Sequence, residues 1–432
     1  MLMKMIKNGL TVHWRYLKMT NKLSPKIRMT EFKDTWDIVN LEEVAEKVSV
    51  GIATSSSAYF ADKNSGVPFI KNQNIKQNQI DDSELEYISH EFDNANSTKR
   101  VKEGDIVTAR TGYPGLSAVV PKQLNNAQTF TTLITRLKPE MVLPEFLSIY
   151  INSEKGMEQI NGMQAGGAQK NVNASMLKKM QIPIPTMKEQ KLISRFILSV
   201  EKLISINLQE LDALKQTKQG FLQRMFPKDG ETVPEVRLPS FSDEWVPWKL
   251  SDITDLITKG TTPKNMSNEG LINFVKVENI NPFSNQITSY SKISLEEHNG
   301  NLKRSQLKKN DILFSIAGTL GRTAIVKEKD LPANTNQALA ILRMKNTNID
   351  FITTYLKGKL VKDYIRKNPT IGAQPNLSLQ QLKDLHVFLP SNQEQIKIGT
   401  FFRQIDEVIE LKEQELEALK QTKKGFLQKM FV

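Results

Sequence analysis

EQKLISRFILSVEKLISINLQELDALKQTKQGFLQRMF, residues 189–226, decides how the rest of this chain is read. It contains no proline and no loop-forming cluster. It returns at residues 394–431 as EQIKIGTFFRQIDEVIELKEQELEALKQTKKGFLQKMF. The offset is 205 at both ends, from Glu189 to Glu394 and from Phe226 to Phe431. The block ALKQTKxGFLQ differs between the copies only at Gln219 against Lys424. A long segment repeated in constant register marks a duplicated chain, and the remaining sequence is read around it.

Within the first copy, Ile193, Val200, Asn207, Leu214 and Phe221 fall at one position of a seven-residue repeat. Phe196 and Leu203 follow three residues on, and Ile197, Ile204, Leu211 and Met225 four residues on. The second copy supplies Ile398, Ile405, Lys412, Leu419 and Phe426, with Phe401, Val408, Phe402, Ile409, Leu416 and Met430. This is an apolar stripe at helical spacing, broad enough to pack on a partner helix. Prolines 183, 185 and 390 precede the two starts, as expected before a helix. Each rod would be roughly 55 Å long. Asn207 and Lys412 interrupt the stripe, a pattern that sets register at some cost in stability.

Composition bounds the function. The 432 residues suffice for two or three domains, and 59 Lys and Arg against 47 Asp and Glu leave a net charge of +12. Such a balance favours an acidic partner, with nucleic acid ahead of a membrane surface. The absence of cysteine excludes disulfides, thiolate catalysis and cysteine-bound zinc. The four histidines are scattered without ligand-like spacing. No apolar run reaches 18 residues, so the reading is a cytoplasmic protein without a membrane span.

Residues 1–18 match nothing later and read as an extension or an upstream start site, with a flexible basic arm touching DNA as the functional alternative. PKIRMTEFKDTW (residues 25–36) then returns as PEVRLPSFSDEW (residues 234–245). Each half continues with an acidic amphipathic segment, NLEEVAEKV or KLSDITDLI, closed by Gly51 or Gly260. Strand-like runs VPFIKNQNI and INFVKVENI follow. VKEGDIVTARTGYPGLSAVV and LKKNDILFSIAGTLGRTAIV read as strand, glycine-bearing turn, strand. Another strand carries Arg136 or Arg343, expected to brace it. A short helix comes next, near residues 144–160 and 348–367, and then the loop GAQxN. The domains are therefore 19–187 and 237–391, with rods 188–226 and 392–432 and a polar linker 227–236. The fold class is mixed α/β (α+β), two globular bodies and two long antiparallel coiled-coil helices with an internal pseudo-two-fold repeat.

Four features together resemble the specificity subunit of a type I restriction–modification system. They are the repeated PxxRxxxFxDxW entry, the GAQxN loop, the IPxPxxxEQ or FLPxxxEQ helix start, and the ALKQTKxGFLQxMF helix end. The resemblance covers residues 19–432. It implies two target-recognition domains, each reading one half of a split, asymmetric site on double-stranded DNA, spaced by the two helices. It further implies docking of two adenine-N6 methyltransferase subunits and two motor-nuclease subunits. S-adenosylmethionine, ATP and Mg would then belong to those partners, and this chain would be non-catalytic and bind no cofactor. No glycine-rich dinucleotide or phosphate loop is present, and Asn281-Pro282-Phe283 lacks the second proline of an amino-methyltransferase motif. The alternatives are a coiled-coil adaptor, or a fragment of a fused restriction–modification enzyme.

On this reading, DNA contacts are expected from loop and strand-end residues. In the first half these are Lys71, Asn72, Gln73, Asn74, Arg110, Thr111, Tyr113, Gln169, Lys170 and Asn171. In the second they are Lys276, Glu278, Asn279, Ser315, Thr319, Arg322, Gln374 and Asn376. The loop GAQxN occurs in both halves and so does not account for two different targets, whereas Asn72 and Gln73 lie where the halves differ. Gly112, Gly115, Gly318 and Gly321 read as turn geometry. Helix pairing and methyltransferase docking are expected of Phe196, Val200, Leu203, Leu211, Leu214, Phe221, Phe401, Ile405, Val408, Leu416, Leu419 and Phe426. The lysines of LKQTK read as a solvated helix face, with a methyltransferase or phosphate contact as the alternative.

Overall fold

The computed structural model describes the backbone of residues 14–16 and residues 25–164, 171–264, 266, 269–282, 284–368 and 376–431. The chain forms two compact units, one of residues 1–205 and 417–432, the other of residues 206–416. Two helices run without interruption over Met187–Arg224 and Asn392–Met430. Each unit thus contains the first part of one long helix and the last part of the other.

The two units share one strand plan. In the first, a four-stranded antiparallel sheet has the order Ser117–Val119, Ile106–Thr108, Leu133–Leu137, Ala45–Val50. In the second, the order is Thr323–Ile325, Ile312–Ser315, Leu339–Met344, Thr254–Lys259. A three-stranded sheet accompanies each, centred on Val67–Lys71 or Ile272–Val275, with one parallel and one antiparallel neighbour. A two-stranded ladder ties each entry segment to the strand before the long helix, Asp37–Asn40 to Gln181–Ile184 and Val246–Lys249 to His386–Leu389. Trp14–Tyr16, inside the stretch read as an extension, pairs with Ile27–Met29.

The acidic amphipathic segments are mostly strand. Only Leu41–Val44 and the short 3-10 turn Leu250–Ile253 are helical before Ala45–Val50 and Thr254–Lys259 enter the sheet. Sheet pairing with Leu133–Leu137 and Leu339–Met344 overrides the local pattern. Gly51 and Gly260 close these strands because a Cβ there would sit 2.0 Å from the Thr129 side chain or 2.1 Å from the Thr335 carbonyl. The helix expected at 144–160 is two helices, Pro144–Ile151 and Glu154–Met163. Ser153 breaks the run by capping the second, accepting from the Gly156 N–H.

The repeated entry and helix-start residues meet as buried ion pairs. Arg28 holds Glu189 through two hydrogen bonds of 2.7 Å, with both side chains at most 2% exposed. Arg237 holds Glu394 in the same way at 2.8 Å. Each arginine also reaches a main-chain carbonyl of its own entry loop, Asp34 or Asp243. The neighbouring glutamine pins the helix start. Gln190 accepts from the Leu143 N–H and donates to the Met141 and Pro185 carbonyls. Gln395 accepts from the Asn348 N–H and donates to the Pro390 carbonyl.

Inside each unit the beginning of one long helix packs against the end of the other, running antiparallel. In the first unit Phe196 meets Phe426, their ring centroids 4.8 Å apart. In the second, Phe221 meets Phe401 at 5.1 Å. The last aromatic of each helix enters a globular core. Phe431 packs on Trp36, Phe146 and Tyr150, and Phe226 on Trp245, Phe351, Tyr355 and Phe402. The interrupters of the stripe also meet, with Lys412 donating to Asn207 at 3.4 Å and to Glu210 at 2.7 Å.

The QTK lysines depart from the expected solvated face. Lys218 is buried and pairs with Asp406, which also accepts from Asn285. Lys423, the same position in the repeat, pairs with Glu201 at 2.7 Å, and Glu201 accepts from Asn78 at 2.8 Å. A lysine from one helix, an acid from the other and an asparagine from the globular body therefore form one fastening, built twice. The signal was present in the sequence, since the lysine and the acid both recur at the 205-residue offset.

Two outcomes follow for stability. Arg28→Met leaves Glu189 buried without its partner and is expected to cost about 3–5 kcal/mol in urea unfolding, most of it recovered in the double variant with Glu189→Leu. Phe431→Ala should cost about 3–5 kcal/mol by emptying the aromatic cluster around Trp36. In hydrogen exchange its loss of protection should be concentrated in residues 25–205.

Candidate nucleic-acid interface

Three separated segments converge in each unit. In the first they are the 3-10 turn Asn72–Asn74, the turn 109–116 between two sheet strands, and the segment 171–172. Asn72 Oδ1 accepts from the Arg110 N–H at 2.8 Å, and its amide donates to Thr131 Oγ1 at 3.1 Å. The Val172 N–H donates to the Arg110 carbonyl, and Arg110 Nε donates back to the Val172 carbonyl, both at 3.2 Å. In the second unit, the Arg322 guanidinium donates to the carbonyls of Val277 at 3.2 Å and Ile280 at 3.4 Å. The Leu377 N–H donates to the Ile316 carbonyl, and Asn376 bridges Ala317.

This convergence separates residues that build the surface from residues that face outward. Asn74 and Asn279 are buried and serve one structural purpose. Each accepts from the main-chain N–H three residues earlier, of Lys71 or Lys276. Each also spends its amide internally, on the Asp81 carbonyl or on Ser289 Oγ. Ser315 is fully buried, donating to the Thr319 carbonyl and accepting from the Arg322 N–H. Arg322 spends one guanidinium nitrogen on the Val277 and Ile280 carbonyls, while the expectation that Asn72, Asn74, Asn279 and Ser315 meet DNA is revised. Their polar atoms are occupied by the protein's own backbone and side chains, and they shape the turns. Arg110 is bound in the same way to Val172. Lys71 pairs with Glu86 at 2.5 Å and lies over the Phe60 ring.

What faces solvent is a smaller set. Tyr113 is 79% exposed at the tip of its turn, with Gln73 and Thr111 exposed nearby in the same converging segments. Glu278, Thr319 and Asn376 are exposed in the second unit, and half-buried Lys276 lies 3.9 Å from Glu278. Gln73 and Glu278 occupy the same place in the repeat with different side chains, so the two surfaces differ chemically where they are exposed. Asn171 is half-buried, and its Oδ1 is sealed from solvent without a hydrogen-bond partner. Gln169, Lys170 and Gln374 lie outside the described residues.

The turns themselves require glycine. Gly112, Gly115, Gly318 and Gly321 all have φ between +73 and +97°. At Gly115 a Cβ would also press to 2.8 Å from Ile160 Cδ1. Arg136 and Arg343 brace their strands by gripping Asp105 and Asp311 through two bonds each of 2.6–2.8 Å. The sequence reading missed Thr131, which receives the Asn72 amide from a left-handed backbone position at φ 50°. No composition or spacing signal marks it. Among the described residues no group of three or more His, Cys, Asp or Glu is arranged to hold a metal, and no helix is long and apolar enough to cross a membrane.

Among the expected helix residues, Val200, Leu211, Leu416 and Leu419 are buried, and Phe196 is 9% exposed. Leu214, Phe221, Phe401, Ile405 and Phe426 are half-buried. Leu203 and Val408, equivalent in the repeat, remain 43% and 44% exposed. Three residues on, Ile206 and Leu411 are again equivalent, at 39% and 64%.

With this geometry in hand, known proteins supply the family. The model of the type I restriction modification DNA specificity domain matches twice, over residues 33–216 and 242–421. A putative type I restriction enzyme MjaX specificity subunit from Methanocaldococcus jannaschii is 22% identical over 93% of this chain and 94% of its own length. The type I restriction enzyme MjaVIII specificity subunit of the same organism is 23% identical over 60% of this chain. That match spans 62% of the relative's length. The solved type I restriction–modification S subunit from M. genitalium superposes with a TM-score of 0.57 at 15% identity, covering 96% of this chain and 98% of that one, which supports the fold. The paired specificity domains, the duplicated strand plan and the two long helices place this chain in the family of type I restriction–modification DNA specificity subunits.

Proposed function

We propose that this chain reads a two-part, asymmetric sequence on double-stranded DNA, one half with each globular body, as the specificity subunit of a type I restriction–modification complex. The observation that carries this reading is a repeated frame with unlike exposed tips. Buried brackets such as Asn74 and Asn279 are the same in both units, whereas Gln73 stands opposite Glu278, and Tyr113 opposite Thr319 on the neighbouring turn. A duplicated frame gives both bodies one way of approaching a duplex. Different exposed side chains give each its own bases. Gln73, Thr111 and Tyr113 are the contacts assigned to the first half-site, and Lys276, Glu278, Thr319 and Asn376 those of the second. The net charge of +12 supplies the attraction for phosphates.

Methyl transfer and cleavage belong to partner subunits on this reading, with S-adenosylmethionine, ATP and Mg bound there and not on this chain. The exposed apolar pairs Leu203 with Ile206 and Val408 with Leu411 support docking of two adenine-N6 methyltransferase subunits. Each pair lies on one helical face, and the two pairs are equivalent in the repeat. Two motor-nuclease subunits complete the cytoplasmic assembly.

Genome-wide mapping of N6-methyladenine, with and without the gene, is expected to reveal a split asymmetric motif that disappears on deletion. Insertion of one helical turn into both rods, after Leu208 and after Glu413, should lengthen the gap between the half-sites and leave the bases read unchanged. An altered half-site in that variant would defeat the division of labour. Tyr113→Ala should weaken binding to the mapped duplex about tenfold, on the order of 1.4 kcal/mol, with an unchanged urea midpoint.

A further inference from the structure

A cavity of about 270 Å³ in the second unit is lined by cations from three elements. Lys215 and Lys218 come from the first long helix, Arg322 from the glycine turn, and Lys357 and Lys362 from the helical pair that follows the sheet. Lys218 and Lys215 have acidic partners, Asp406 and Glu413. Lys357 Nζ and Arg322 Nε are different, being sealed from solvent with no hydrogen-bond partner. A buried donor left unmade is costly, and two of them on one small cavity mark an acceptor that belongs there.

The repeat supplies an internal comparison. The equivalent cavity in the first unit has Asn152 in place of Lys357 and Gln77 in place of Pro282. There the polar demand is met internally. Asn152 accepts from the Ser117 N–H and donates to the Ser117 carbonyl and to Asn78, and Lys423 donates to Gln77. In the second unit lysine and proline provide no acceptor at either place, so the unmet donor is particular to that half.

We infer that the cavity beside Lys357 and Arg322 is a binding site for a phosphoryl group. A carboxylate would neutralise one cation. A phosphate dianion brings two charges and several acceptor oxygens to Lys357, Arg322 and rim-exposed Lys362, and the volume leaves room for bridging water at ~30 Å³ each. Burial, with like charge from Lys218 and Lys362 outweighing the opposing Asp406, pushes the Lys357 amino group down to about 7. A bound anion restores its charge, so binding at pH 7.5 takes up a fraction of a proton. The phosphoryl group comes either from free phosphate, as the dianion, or from the backbone of a DNA duplex, where each diester brings one negative charge and two free acceptor oxygens. The second source rests on the function proposed above.

The test is thermal unfolding of the full chain at pH 7.5 in phosphate against chloride of equal ionic strength. The expected result is a saturable rise in the midpoint with phosphate, lost in Lys357→Met and kept in Lys424→Met, which alters the other cavity. Calorimetry in buffers of different ionisation heat should register the proton uptake. Equal midpoints in phosphate and chloride overturn the site, as does an undiminished rise in Lys357→Met. If that variant does not fold, Lys362→Gln is read instead. A severalfold weaker phosphate response is expected, and an unchanged one overturns the site. Competition between phosphate and a 30-base-pair duplex carrying the mapped motif assigns the source to DNA backbone, and independent binding assigns it to free phosphate. A wild-type chain that binds no duplex yet responds to phosphate refutes the DNA reading alone.

Discussion

Two phenylalanines, each at the end of a long helix, hold this protein's architecture together. Phe226 and Phe431 are 5% and 3% exposed, and each completes an aromatic cluster built on the tryptophan of an entry segment. A large side chain removed from water in this way contributes a few kcal/mol, a sizeable part of a domain's net stability. The sequence separation matters as much as the area. Trp36 receives a ring from residue 431, so the core of the first unit is finished by residues at the far end of the sequence. Such a non-local contact must overcome a large loop-closure cost, which the antiparallel helix packing lowers by delivering the ring to its place.

Apolar packing along a helix pair is tolerant of slippage, and the polar contacts remove that freedom. Lys412 meets Asn207, and the lysine–acid–asparagine fastening occurs once in each unit, its lysine and acid at equivalent positions and its asparagine from a different one. Burying these charges is costly unless every partner is in place, so any shifted register leaves unpaired groups. Arg28 with Glu189, and Arg237 with Glu394, apply the same logic at the helix starts. The motifs most visible in the sequence are thus scaffold, and the surface proposed for recognition is the less regular remainder.

That distinction explains how far the sequence could be read. The strand–turn–strand units, the bracing arginines and the apolar stripe follow local periodicity and were legible. The acidic segments before Gly51 and Gly260 were less so, because their pairing partners lie 81 to 92 residues further along the chain. In the candidate interface, residue type singled out side chains that the fold uses to build its own turns. Asn72, Asn74 and Asn279 are chemically able to read bases, and the fold spends that capacity on main-chain groups and on Thr131 or Ser289.

By itself the sequence determined the duplication, the 205-residue register and the helical stripe, since these are properties of repetition and spacing along one chain. Tertiary structure alone decided which polar side chains are consumed and which remain available. A hydrogen bond depends on an atom that arrives from elsewhere in the fold. Asn152 and Lys357 hold the same place in the repeat, yet one is saturated by Ser117 and Asn78 while the amino nitrogen of the other is sealed from solvent without an acceptor. No pattern along the chain encodes that difference, because it exists only where separate segments are packed together.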